Sequence, residues 1–369
     1  MTTTRATEPA PGAFVFNPFE IAVCDPTGRI GEDLALELAR FVSFDMHAGI
    51  VARPLAASGR STSAHIARLV TTTEQYVLAV PRVLAGDGLF AAMADLDLVF
   101  VVEDSPDSPR PAIVLLGDAP PPPTSGPVVA YVGERKACPI LPPDAPYFAL
   151  DQIALLAQRL IEYLKGLARG VPLYGLVLAG GEAKRMGSEK ALVEYDGQPQ
   201  LTRAVNLLRG CCSRVAVSMR PDQNFAVAGH DAGPIRDRFL GFGPMGGVLS
   251  AMIAHPGAAW LVLACDMPLV DKQLLGQLLQ ERNPFRTATV FLGADDAPEP
   301  LCGIYEPKTF RLLFAHMAQG RSSLRSALEA PSVKKIHAAD TSLLQSVDTP
   351  EGYARVSGTL KSSRGTSPE

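Results

Sequence analysis

The chain has 369 residues, 47% hydrophobic, 20% charged and 7% aromatic, which is long enough for two or three domains and too apolar for a disordered charged tail. Lys plus Arg is 34 against 38 for Asp plus Glu, a net charge of −4, whereas a protein that coats nucleic acid or an anionic membrane is normally basic. The balance is uneven: residues 1–170 carry 13 basic and 19 acidic side chains, and residues 171–369 carry 21 and 19, so the second half is the better host for an anionic small molecule.

In chain order, residues 1–14 are rich in Thr, Ala and Pro and read as a disordered tail. Phe19–Cys24 reads as a strand, Glu32–Phe41 as a helix, Gly49–Val51 as a strand and Ser63–Val70 as part of a helix. Leu96–Val102 (LDLVFVV), Ala112–Leu116 (AIVLL) and Val128–Val132 are apolar enough to be strands of a parallel sheet covered on both faces. The Ala119–Pro127 segment (APPPPTSGP) can be neither strand nor helix, because proline fixes φ and lacks a donor, so it is a surface loop inside a first domain. Asp151–Leu164 has apolar residues at helical spacing, with Asp151 as its expected N-cap. Lys165–Pro172 (KGLARGVP) ends that helix in glycine and proline and marks the domain boundary.

The second half repeats the rhythm. Strands are expected at Leu173–Ala179, Arg214–Ser218, Trp260–Ala264 and Thr289–Phe291, and helices at Gln200–Leu208, Val248–Ile253, Lys272–Leu279, Lys308–Met317 and Leu324–Leu328. Ser357–Glu369 reads as a polar tail. The fold class is therefore α/β, with a mostly parallel, doubly wound sheet in residues 172–356, preceded by a second α/β domain over 15–168.

Six cysteines show no CxxC and no Cys/His pair at zinc spacing, and the vicinal Cys211 and Cys212 read as small apolar residues at a helix end. The N-terminus has no apolar stretch of signal-peptide length, and the longest apolar run, Ala258–Cys265, is far short of the roughly 20 residues that span a bilayer. The expectation is a reduced, cytoplasmic, soluble protein.

The strongest chemical signal is Leu178-Ala-Gly-Gly-Glu-Ala-Lys-Arg-Met-Gly-Ser-Glu-Lys190, directly after an apolar strand. Gly180 and Gly181 remove Cβ atoms where a backbone must approach phosphate oxygens, while Lys184, Arg185 and Lys190 supply three cations. The layout is neither GxxxxGK[ST] nor GxGxxG, yet three cations after a buried strand point to phosphate binding rather than to a solvated turn. At the carboxyl end of another apolar run (WLVLAC) stands Asp266, where ligands bind in open α/β sheets; a lone carboxylate there suits Mg²⁺, which takes one or two carboxylates plus phosphate oxygens and water.

These residues resemble the molybdenum cofactor guanylyltransferase family (MobA-type) of Rossmann-like nucleotidyltransferases, whose signature is LAGG-x-x-x-RMG followed by Asp-Lys. Here Glu189 stands where the family usually has Asp. Asp237-Arg-Phe-Leu-Gly-Phe-Gly-Pro-Met-Gly-Gly247 is similar to the family's DxxxxxGPxxG loop and Ala264-Cys-Asp-Met-Pro268 to its CDMP element. Glu299-Pro-Leu301, Tyr305, Gly320–Leu324 and Asp348-Thr-Pro-Glu351 follow in family order, with Asp348 and Ser346 where Asn is expected. The resemblance implies transfer of GMP from GTP to the terminal phosphate of molybdopterin cofactor, with Mg²⁺, and a molybdoenzyme or its chaperone as downstream partner. It implies that Leu178, Ala179, Gly180, Gly181, Arg185, Gly187, Lys190, Asp237 and Gly243 bind the nucleotide. Arg185, Lys190 and Asp266 would be catalytic, with Asp266 holding the metal and Asp348 as a second candidate ligand. His230, His255, His316 and His337 lie outside every motif, consistent with a reaction that needs no general base.

The first half resembles a degenerate MobB-type GTP-binding adaptor. Ile21–Cys24 would be its first strand, and Pro26-Thr-Gly-Arg-Ile-Gly-Glu-Asp33 would fill the GxxxxGK[ST] octet. Pro26 replaces the first Gly, Glu32 the Lys and Asp33 the Ser/Thr, so the charge that would attract phosphates has become repulsive. Asp97–Glu103 and Ala137–Pro142 resemble later adaptor segments. The expectation is a P-loop-like domain without a working P-loop, retained for docking or dimerisation. Two other readings stay open from sequence: a molybdenum cofactor cytidylyltransferase or other NTP:phosphate nucleotidyltransferase, and a non-catalytic scaffold in cofactor maturation.

Overall fold

The computed structural model describes residues 19–25, 30–42, 48–52, 64–71, 75–81, 98–103, 110–117, 124–134, 145–180, 190–195, 197–223, 233–347 and 349–364. In the first half these form strands β1 (Phe19–Cys24), β2 (Ala48–Ala52), β3 (Ala64–Thr71), β4 (Gln75–Pro81), β5 (Leu98–Glu103), β6 (Ala112–Leu115), β7 (Val128–Val132) and β8 (Tyr147–Phe148). Helix α1 (Gly31–Val42) follows β1, and α2 (Ile153–Arg169) closes the half. The sheet order is β4-β3-β2-β5-β1-β6-β7-β8. β1 lies at its centre, parallel to β5 and β6, and β3 runs antiparallel to both its neighbours, β2 and β4. Ile21, Val23, Phe100 and Ile113 of the sheet pack on Leu34 and Leu38 of α1 and Leu156, Leu160 and Leu164 of α2.

Two local expectations change here. Ser63–Val70 is not helical: Ala64–Val70 pairs residue for residue with Gln75–Pro81 as a hairpin, so an available partner strand outweighs a short helical spacing. The residue preceding α2 is Gln152, not Asp151, and its side chain accepts from the Ala149 N–H at 3.0 Å.

The second half contains β9 (Leu173–Leu178), β10 (Glu194–Tyr195), β11 (Gln198–Pro199), β12 (Arg214–Met219), β13 (Gly233–Arg236), β14 (Ala259–Ala264), β15 (Ala288–Leu292), β16 (Pro298–Tyr305) and β17 (Val333–His337). Its helices are α3 (Gln200–Arg209), α4 (Pro244–Ala254), α5 (Lys272–Gln280), α6 (Thr309–Ala318), α7 (Leu324–Ala327) and α8 (Pro350–Arg364). The main sheet runs β13-β12-β9-β14-β16-β15-β17, with β16 alone antiparallel to its neighbours. Every residue of β14 is buried, as a central strand covered on both faces requires. Helix α8 runs to Arg364, into the stretch expected as a tail. Among the described residues, no helix is long and apolar enough to cross a membrane.

Trp260 anchors this core: it is fully buried and meets Tyr174 edge-on, with ring centroids 5.5 Å apart. Its indole N–H has no acceptor among the described residues, so its contribution is packing. Trp260→Ala is expected to lower stability by about 3–5 kcal/mol in a urea titration, and Trp260→Phe by less than half as much.

Candidate active site

The site is built on one row of strand ends. Leu178 of β9 pairs with Ser218 of β12 on one side and Ala264 of β14 on the other, and Ser218 pairs with Ile235 of β13. The ladder continues past the row: the Ala179 N–H donates to the Ser218 carbonyl at 2.9 Å, Cys265 N–H to Leu178 at 3.1 Å, and Asp237 N–H to Met219 at 3.0 Å. The chain leaves β9 toward β12 and later returns to β14 on its other side. That reversal opens a crevice at the carboxyl ends, where an open α/β sheet takes its ligand.

The crevice is a cleft of about 390 Å³ lined by Leu178, Gly180, Asp237, Gly243 and Asp266 among others, so five of the sequence-selected residues converge. Ala179, between the lining residues Leu178 and Gly180, is buried. Gly181, Arg185 and Gly187 lie outside the described residues, as does Asp348. Lys190 opens a short 3₁₀ turn, Lys190–Leu192.

Asp237 is the most constrained polar group. Ser218 donates its hydroxyl to Asp237 Oδ1 at 2.6 Å. Burial pushes the Asp237 carboxyl above the ordinary carboxylate range, opposed by that hydrogen bond and by the charge of Arg220. Arg220 donates to the Gly180 carbonyl at 3.1 Å and pairs with Asp222, also at 3.1 Å, so it clamps the start of the glycine loop. A Cβ on Gly180 would sit 3.4 Å from Asp237 Oδ2 and 3.6 Å from Arg220 Cγ. Ser218 and Arg220 were not singled out from sequence. The available signal was topological: they end the strand next to β9.

The opposite wall is the start of α4. Gly243 precedes it with φ 53°, a left-handed conformation that favours glycine, and Pro244 occupies the first turn. Helix N-termini present orphan N–H groups and a positive dipole end to anions. Gly246 and Gly247 let the helix sit close: an added Cβ would lie 2.3 Å from the Phe239 carbonyl oxygen at the first and 2.5 Å from Ser218 Oγ at the second. Leu240, 65% exposed, forms part of the rim.

Asp266 closes the third side. Its backbone carbonyl accepts from the Val347 N–H at 2.8 Å, which ties the C-terminal segment to the cleft floor. Tyr195 is pushed up to about 12, chiefly by burial, with Tyr353 and the Asp266 charge adding to it. Glu299 is raised by burial and held by Arg325 at 3.8 Å, and its Oε1 accepts from the N–H of Leu301, a lining residue. His255, by contrast, packs against Tyr174 and Trp260, and His316 and His337 lie on α6 and β17, so none of the three lines the cleft.

A model of the MobA-like NTP transferase domain matches residues 175–338. A molybdenum cofactor biosynthesis bifunctional protein from Synechocystis is 32% identical over 209 residues, covering 56% of this chain and 60% of that relative's length. A probable molybdenum cofactor guanylyltransferase from Opitutus terrae is 32% identical over 167 residues, covering 44% of this chain and 81% of the relative. Among solved structures, molybdopterin-guanine dinucleotide biosynthesis protein A from Archaeoglobus fulgidus is 21% identical, covering 51% of this chain and 99% of that one, with a TM-score of 0.43.

The close approach of α4 is testable. Gly246→Ala should cost about 1–3 kcal/mol, because its Cβ meets backbone that cannot swing away. Gly276→Ala in α5, which meets nothing within 4 Å, should be neutral or stabilising by up to about 1 kcal/mol. Paired thermal melts check both.

Proposed function

The chain belongs to the family of MobA-like NTP transferases, and from that premise we propose that it transfers GMP from GTP to the terminal phosphate of molybdopterin cofactor. An oxygen of that phosphate attacks the α-phosphorus, the α–β bridging P–O bond breaks, and pyrophosphate leaves with the electron pair. The product is a guanine dinucleotide cofactor, destined for a molybdoenzyme or its chaperone. The observation that carries this reading is the convergence of Gly180, Asp237 and Asp266 on one cleft at the sheet's switch point.

A phosphate monoester is largely dianionic near neutral pH, its second pKa being about 6, so the nucleophile needs no general base. Catalysis then rests on positioning and on cations aimed at the triphosphate. Arg185 and Lys190 supply those cations, Gly180 and Gly181 the close backbone approach, and Asp266 is the residue that would hold Mg²⁺. When bound, Mg²⁺ neutralises triphosphate charge. Among the described residues there is no cluster of three or more His, Cys, Asp or Glu placed to hold a metal, and one carboxylate fits an ion whose remaining ligands are phosphate oxygens and water.

Asp237 favours guanine over cytosine. An ionised carboxylate only accepts hydrogen bonds. Guanine offers it adjacent N1–H and amino donors, whereas cytosine places an acceptor nitrogen beside its single amino group. Residues 15–168 we read as an adaptor-derived docking module preceding the transferase domain at 172–356.

Incubation with Mg²⁺, molybdopterin cofactor and each NTP, followed by pyrophosphate detection, tests the reaction. Release with GTP is expected; release with CTP alone assigns the cytidylyl reaction instead, and none with any NTP assigns a scaffold. Asp266→Asn and Lys190→Ala should each cut turnover at least about 100-fold. GTP affinity should weaken as pH falls through the raised pKa of Asp237, at a higher pH than an ordinary aspartate would give, because protonation removes the acceptor. Asp237→Asn should abolish that acid limb in a calorimetric pH series.

A further inference from the structure

The first domain places a helix N-terminus at the end of its central strand, and something already occupies it. β1 is flanked by β5 and β6, and α1 packs back over the sheet. In a strand–loop–helix unit of this kind the first N–H groups of the helix are orphan donors at the positive end of the dipole, the position at which nucleotide phosphates are held. Here Asp25, the residue immediately after β1, is 2% exposed. Its Oδ2 accepts from the Ile30 N–H at 2.9 Å and from the Gly31 N–H at 2.7 Å.

This is not an ordinary N-cap, which reaches N–H groups two or three residues onward. Asp25 lies five and six residues before the groups it binds, so its carboxylate spans the whole strand–helix connection. The packing leaves no slack, since a Cβ on Gly31 would sit 2.7 Å from Asp25 Cβ and 3.2 Å from Oδ2. Glu32 and Asp33 follow in the first turn of α1. An incoming phosphate would have to displace one carboxylate and lie within a helical turn of two more.

We propose that the Asp25 carboxylate is a built-in anion filling the phosphate cradle of the first domain, so that this domain takes no nucleotide and gains anion binding only when the carboxylate is removed. The substitutions at the expected lysine and Ser/Thr positions are secondary: two of the donors that would hold a phosphate, the Ile30 and Gly31 N–H groups, are already engaged.

The test uses the full chain. Asp25→Ala should lower the first melting transition by about 3–8 °C, and inorganic phosphate should restore at least half of that loss relative to chloride at equal ionic strength. Wild type should show no comparable phosphate gain in that transition. Asp25→Asn, which keeps an acceptor oxygen, should melt closer to wild type and respond little to phosphate, and it serves if the alanine variant does not fold. Photolabelling of wild type with 8-azido-GTP should mark no peptide within residues 19–168. An alanine variant as stable as wild type, a loss that phosphate does not recover, or labelling within 19–168 overturns the proposal.

Discussion

The chemistry of this molecule depends on the register of three parallel strands. Leu178, Ser218 and Ala264 stand side by side across β12, β9 and β14. Apart from Leu301 of β16, the described residues that line the cleft lie on that row, beyond it or on the helix facing it. Gly180 and Arg220 are two positions past it, Asp266 is two past Ala264, and Asp237 is two past Ile235 in the adjoining strand. A one-residue slip of any strand would turn its end residue to the other face of the sheet. The same slip would expose side chains of a sheet whose β14 is buried along its full length. The apolar packing that makes the fold stable is thus the same constraint that places the polar groups within reach of one ligand.

Within that frame the charges are arranged by proximity rather than by number. Asp237 is held between a hydroxyl and a guanidinium, and burial opposes its ionisation. It is therefore stabilised as an anion most fully when a ligand brings further donors to it. Arg220 has a different part: anchored to the Gly180 carbonyl and to Asp222, it fixes where the glycine loop departs from the sheet. A loop with the phosphate-cradling role proposed for this one gains from a rigid root, because each backbone donor aimed in advance costs less ordering when a ligand arrives.

Legibility in the sequence follows the length scale of the forces. β9, β12, β14 and β15 are short runs of apolar residues whose burial is a local property, and they stand where the hydropathy places them. The glycine loop, the 237–247 segment and Asp266 were legible because close backbone approach and lone carboxylates leave a residue-level mark. The β3–β4 hairpin, β16 and β17 were not, since their existence depends on partners distant in sequence; β16 even opens with Pro298, tolerated at the first position of a strand. Ser218 and Arg220 escaped for the same reason, their importance arising from adjacency to β9. Asp25 shows the limit most sharply: in sequence it is one acid before a proline, and only the fold brings it to Ile30 and Gly31.

The two halves also show why a net charge says less than the position of a few groups. A difference of −6 against +2 looks like long-range steering of polyanionic substrates away from the first domain. At physiological ionic strength, however, exposed charges are screened beyond about 8 Å, and most of the 19 acids in residues 1–170 act only on their own neighbourhood. Those that matter are Asp25, Glu32 and Asp33, because they stand at the helix N-terminus past the central strand, where a phosphate would otherwise find aligned donors. In the second domain the equivalent place, past the central strand, carries Gly180 and leads to Lys190. The first domain closes the helix donors past its central strand with its own carboxylate, whereas the same place in the second domain opens onto the cleft at Gly180.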